Sequence, residues 1–158
     1  MTRPVGLMMA AAVMLVLLGT SVAWAGPEEF IVYFSVSLVQ PKTGRRIPIK
    51  IYSHGRFTYD PKMRIPHGAT LFVSVRVGGG RYLSAVFRDD ADQQFDLPRA
   101  ARRLDGNTKE FLWTMPRRFV AGRVELFLCL WANLNPQNNR MEGAVERTGW
   151  VRLGETSL

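Results

Sequence analysis

The sequence holds one cysteine and two histidines among 158 residues, so the side-chain chemistry open to it is narrow. A cysteine nucleophile needs a base within hydrogen-bond reach, and only His54 and His67 could serve Cys129. Cys129 stands between Leu128 and Leu130 in the most apolar stretch of the chain, where a thiol is held neutral and stays inert. It reads as a buried structural cysteine. Ser53 beside His54 is a commonplace pairing in a turn. Asp90, Asp92, Gln94 and Asp96 set oxygen ligands at alternate positions, as a calcium loop does. Phe95 stands where such a loop needs glycine, and Ala101 where it needs a closing glutamate, so the stretch reads as an acidic surface loop. Glu110 and Glu125 are the acids embedded in candidate strands and would be the pair for glycoside hydrolysis, but strand carboxylates commonly face water. No Walker loop, dinucleotide fingerprint, zinc signature or nucleophile elbow occurs. The expectation is a chain with no catalytic set, no cofactor and no metal.

Binding chemistry is better represented. Lysine and arginine number 21 against 13 acids, a formal charge of +8, and lysine supplies only Lys42, Lys50, Lys62 and Lys109. Three arginine doublets (Arg45-Arg46, Arg102-Arg103 and Arg117-Arg118) are candidate anion-binding residues, because the guanidinium fork matches carboxylate and phosphate in bidentate geometry. The competing reading is solvated loop ends, since net charge speaks mainly to solubility and encounter rate. Two apolar stretches offer a second kind of surface. Phe30, Val32, Phe34, Val36 and Leu38 form a candidate partner strand near the start of the mature chain, and Arg123 to Ala132 is apolar on both faces. Such strands are either central and covered, or carry an apolar face or edge kept for a partner.

The elements that would position these residues begin after an export signal. Arg3 supplies a positive start, Val5 to Leu18 is apolar or small, and Ala23-Trp24-Ala25 presents small residues at the two positions a signal peptidase accommodates. Residues 1–25 are therefore expected to be cleaved, leaving one domain over 26–158. The alternative is an uncleaved anchor. Nothing after Ala25 is long and apolar enough to span a membrane.

Period-two alternation dominates the remainder, and no amphipathic helix stands out. Expected strands are Phe30 to Val39, Ile47 to Ile51, Arg56 to Tyr59, Thr70 to Val77, Arg81 to Phe87, Lys109 to Thr114, Arg123 to Ala132 and Met141 to Leu153. Pro48 cannot donate to a ladder, which places its strand at a sheet edge. Gly78-Gly79-Gly80 suggests a hairpin joining Thr70–Val77 to Arg81–Phe87, Pro98 to Leu104 a short helical turn, and Asn133 to Arg140 a polar loop. Seven or eight short strands with regular turn signals predict an all-β fold, a single antiparallel β-sandwich. The stretch Asp105 to Ala132, with its Trp-Thr-Met-Pro strand end and Ala121-Gly122 corner, resembles the last strands of bacterial immunoglobulin-like domains in general architecture. The paired cysteines of antibody-type domains are missing.

The combined expectation is an exported, periplasmic or secreted, non-catalytic binding module of the bacterial cell envelope. It would act as a structural or adaptor protein through protein–protein contacts. An alternative is recognition of an anionic glycan or lipid headgroup by the arginines, and a third is a hydrolase with an unrecognised site. Nucleic acid is not an expected partner.

Overall fold

The computed structural model describes residues 31–53, 56–59, 63–79, 81–97 and 102–157. Residues 1–25, the expected signal segment, Phe30, His54 and residues 98–101 lie outside these. The described residues form ten strands and no helix. They are β1 (Ile31–Val39), β2 (Arg46–Ser53), β3 (Arg56–Tyr59), β4 (Arg64–Pro66), β5 (Thr70–Val77), β6 (Tyr82–Arg88), β7 (Gln94–Asp96), β8 (Thr108–Thr114), β9 (Gly122–Asn135) and β10 (Arg140–Ser157). Two five-stranded sheets result, ordered β3-β2-β1-β5-β8 and β4-β10-β9-β6-β7.

Alternation decides which face each strand buries. Val36, Phe34, Leu71, Val73 and Val75 of the first sheet and Leu83, Ala85, Phe87, Val124, Leu126, Leu128 and Leu130 of the second share one core. The sheets therefore pack face to face as a β-sandwich. Cross-sheet contacts confirm the packing: Phe87 of β6 stacks on Trp113 of β8 at 3.9 Å between ring centroids. At the other side Lys50 of β2 donates from Nζ to the Arg152 carbonyl of β10 at 2.6 Å. Burial holds the Lys50 amine below its ordinary range.

Several expectations need correction. β5 and β6 do not form a hairpin: β5 pairs with β1 and β8, and β6 pairs with β7 and β9 in the other sheet. Alternation fixes which face a strand buries but not its neighbour, and the glycine-rich connection crosses between layers. The pairing is not wholly antiparallel, since β4 runs parallel to β10 at Arg64–Pro66. β2 is not a sheet edge either; it lies between β1 and β3. Pro48 is tolerated because β3 reaches only Lys50 to Ser53, and because the β1–β2 register shifts beside Pro48, between Val36 and Ser37. Arg103 and Asp105 form isolated bridges to Tyr82 and Thr108, so the described end of the expected helical turn is extended. Asn133 to Arg140 is a hairpin end: strand continues to Asn135 and resumes at Arg140 around a four-residue turn with Asn139 at φ 56°.

β10 leaves an open edge from Arg140 to Gly154 among the described residues, because β4 covers only Glu155 to Ser157. Three register shifts interrupt that edge. Bulges of this kind twist an edge away from further pairing, so a partner would find the faces of this sheet easier to use than its side.

Candidate functional site

The outer phases of the two sheets differ in chemistry. On the first sheet it is mixed: Ser35 and Ser37 of β1, Thr70 and Ser74 of β5, and Thr108 and Thr114 of β8 supply hydroxyls beside Tyr33, Ile51, Arg76, Glu110 and Leu112. Its one large ring on β5, Phe72, is covered by the Arg46 guanidinium at 3.5 Å from the ring centre, which leaves Leu112 as an isolated exposed apolar residue there.

On the second sheet the outer phase forms four rows across β6, β9 and β10, set by register. The first row is Tyr82, Trp131 and Ala144, extended by Arg103 through its bridge to Tyr82. Ser84, Cys129 and Arg147 follow, then Val86, Phe127 and Trp150, and finally Arg88, Glu125 and Arg152. Tyr82, Val86, Phe127, Trp131 and Trp150 are all partly exposed. Aromatic side chains thus occupy two rows four residues apart on β9, a separation of about 13 Å along an extended strand.

Local bonds fix the platform. The Trp131 indole N–H donates to Ser84 Oγ at 2.9 Å, and that hydroxyl donates to the Cys129 carbonyl at 3.4 Å. Phe127 and Trp150 pack with centroids 5.4 Å apart. Arg88 lies 4.0 Å over the Trp150 ring and donates from Nε to Glu125 at 2.7 Å. The Glu125 carboxylate also has Arg123 at 3.7 Å, so this nearly buried acid is compensated by two cations. Arg152 pairs with Glu155. Arg147 is exposed and joins none of the ion pairs among the described residues. It lies opposite Cys129 and acts on the thiol instead. Burial pushes the Cys129 thiol up, against the smaller pull of Arg147, which keeps it protonated at neutral pH.

The six candidate anion-binding arginines are divided between the two ends of the sandwich. Arg46 faces Val39, Val39 faces Thr70 and Thr70 faces Thr114, so Arg45, Arg46, Arg117 and Arg118 gather at one end. Arg118 lies over Phe95 at 5.2 Å. Arg102 and Arg103 sit beside Tyr82 and Trp131, at the far end of β9 from Gly122, about 30 Å along the strand. The candidate partner strand, apart from Phe30 outside the described residues, is central: β1 pairs with β2 on one side and β5 on the other. Phe34 and Val36 are fully buried, Leu38 packs against the core, and Val32 is half-buried.

Among the described residues, those weighed for catalysis are not assembled; His54 lies outside them. His67 meets the Phe119 carbonyl at 2.7 Å at the Gly122 end, whereas Cys129 lies on the outer face of β9. Asp90 and Asp92 of the acidic loop face Arg123, with Asp92 at 2.8 Å from its guanidinium. Glu110 is exposed on β8 and accepts from Ser74 at 3.4 Å. Among the described residues no group of three His, Cys, Asp or Glu side chains could hold a metal ion. No helix among the described residues is long and apolar enough to cross a membrane.

Sequence reasoning identified the outward Phe127-Cys129-Trp131 phase of β9 but not the residues that complete the platform. The usable signal was that β9 is apolar in both phases, which a strand covered on one side does not require. In comparisons of the chain with family models, curated proteins and solved structures, nothing matches.

Proposed function

We propose that the chain is an exported, non-catalytic binding module of the cell envelope, immunoglobulin-like in general architecture and released from its amino-terminal segment by signal cleavage. It acts as an adaptor through protein–protein contacts made by the outer face of the second sheet. The observation that carries this reading is the gathering of four partly exposed rings, Tyr82, Phe127, Trp131 and Trp150, on one face, whereas the other sheet's outer face, richer in serine and threonine, mixes them with Tyr33, Ile51 and Leu112. Tryptophan, tyrosine and arginine are the residues that supply most binding energy at protein interfaces, while lysine is depleted there. The four rows contain arginine and no lysine. A flat aromatic face of this kind is costly to leave in water and gains by being covered.

Photo-cross-linking tests the reading. With p-benzoylphenylalanine replacing Phe127 or Trp131 in the full chain, ultraviolet irradiation in the protein's own cells is expected to give a discrete protein adduct. The same group at Ser35 or Ser74 is expected to give none. Adducts from the hydroxyl face alone, or from neither face, would refute it.

A further inference from the structure

We infer that the partner seated on this face presents an acidic protein surface, with an apolar centre over Trp131 and Phe127 and carboxylates meeting Arg103 and Arg147. This rests on the binding reading above and adds the chemistry of the occupant. The face also carries exposed Asp96, opposite Val86, and Glu142, opposite Asn133, and its charges are unevenly used. Arg88 is held by Glu125 and stacked on Trp150, and Arg152 is held by Glu155. Arg103 and Arg147 have no carboxylate within 4.0 Å among the described residues, and both are exposed. Register places them on either side of Trp131. Arg103 follows Tyr82 in the Trp131 row, and Arg147 faces Cys129 in the next row on the opposite strand. Two guanidinium groups flanking an indole, neither of them held by a carboxylate, form an arrangement that a pair of carboxylates completes.

Other occupants fit less well. A glycan needs donors and acceptors for many hydroxyls, but the central rows offer Ser84, whose hydroxyl is engaged by the Trp131 N–H and the Cys129 carbonyl. Of the remaining members, Val86, Phe127 and Ala144 carry no hydrogen-bonding group, Trp150, Arg103 and Arg147 only donate, and the Tyr82 hydroxyl is left as an acceptor, a set better matched to carboxylates than to sugar hydroxyls. A second copy would bring together two chains each of formal charge +8, with like charges to be set apart across the seam.

The test combines the Phe127 photo-cross-link with charge reversal in the full chain. Arg103→Glu with Arg147→Glu is expected to lower adduct yield at least tenfold. Arg45→Glu with Arg46→Glu makes the same change in net charge at the opposite end and is expected to leave the yield within twofold. Circular dichroism of the purified variants confirms that each is folded, and Arg103→Gln with Arg147→Gln, which adds no negative charge, is expected to lose yield as well. Sequencing of the adduct by mass spectrometry is expected to show the attachment point within a few residues of several Asp or Glu. An unchanged yield in the Arg103/Arg147 variants overturns the inference, as does an adduct that is polysaccharide or a second copy of this chain. Failure of the binding reading looks different: no adduct forms even from the parent chain.

Discussion

Asp89→Ala is expected to destabilise the domain by about 3–5 kcal/mol, because three backbone N–H groups lose one shared, charged acceptor. Asp89 is wholly buried at the end of β6. Its Oδ1 accepts from the Ala91 and Gln93 amides at 3.0 and 2.9 Å, and its Oδ2 accepts from the Val120 amide at 2.9 Å. One carboxylate therefore closes the β6–β7 turn and ties it to the loop that enters β9. Against a total stability of about 5–15 kcal/mol, the loss is a large fraction. In urea it corresponds to a fall in midpoint of about 2 M at a slope of about 2 kcal/mol/M. Asp89→Asn keeps one acceptor oxygen for the turn but presents an amide N–H towards the Val120 N–H. It is expected to fall between parent and alanine variant. A midpoint for Asp89→Ala within about 0.5 M of the parent, under 1 kcal/mol at that slope, would show that the turn holds without the carboxylate.

Trp113→Ala is expected to cost a similar amount, about 3–5 kcal/mol, for a different reason. The indole is 8% exposed and seals the side of the sandwich formed by β8, β6 and β7. It stacks on Phe87 at 11° between planes and meets Phe119 and Phe95 edge-on at 5.7 and 6.4 Å. Its removal leaves a cavity lined by three rings, each losing dispersion contacts that rigid neighbours cannot replace. Trp150 makes the useful comparison, since it lies partly exposed on the outer face over Phe127. Trp150→Ala is expected to cost about 1 kcal/mol. Unfolding curves of the two variants distinguish a core tryptophan from a surface one. Equal losses would mean that the outer face is structural.

That comparison also marks how far the fold was legible. β1, β5 and β9 announce themselves because each buries a full phase of alternating residues, from Phe34 and Val36 to Leu126 and Leu128. β4 and β7 span three residues each, less than two full alternations, so a period cannot register. The β9–β10 hairpin end was read as a loop because it extends past the last paired residue of β6. With no covering layer, Asn133, Asn135 and Glu142 need no apolar phase. The β5–β6 error has another origin: a glycine run permits a tight return but does not enforce one, and the choice of sheet is made by long-range packing.

The candidate site was legible in one strand and hidden in its neighbours. Phe127, Cys129 and Trp131 stand out because β9 is apolar in both phases. Trp150 and Arg147 join them only through a β10 register that shifts three times, and such shifts leave no simple spacing in sequence. The arginine doublets show the converse. Arg117 and Arg118 lie in a turn, and only the second member of each other doublet enters pairing, so a sequence doublet does not define a shared face. Arg103 reaches the platform while Arg102 does not share its phase.

The most direct measurement is co-purification under a high-salt wash of the tagged full chain and of a Phe127→Ser, Trp131→Ser double variant whose circular dichroism matches the parent. Each lost aromatic anchor is worth about 2 kcal/mol, or about 30-fold in affinity. The parent is expected to retain a stoichiometric protein partner and the double variant to lose it. A folded double variant that keeps the partner at the parent's level would contradict the assignment of the outer face of the second sheet as the docking surface.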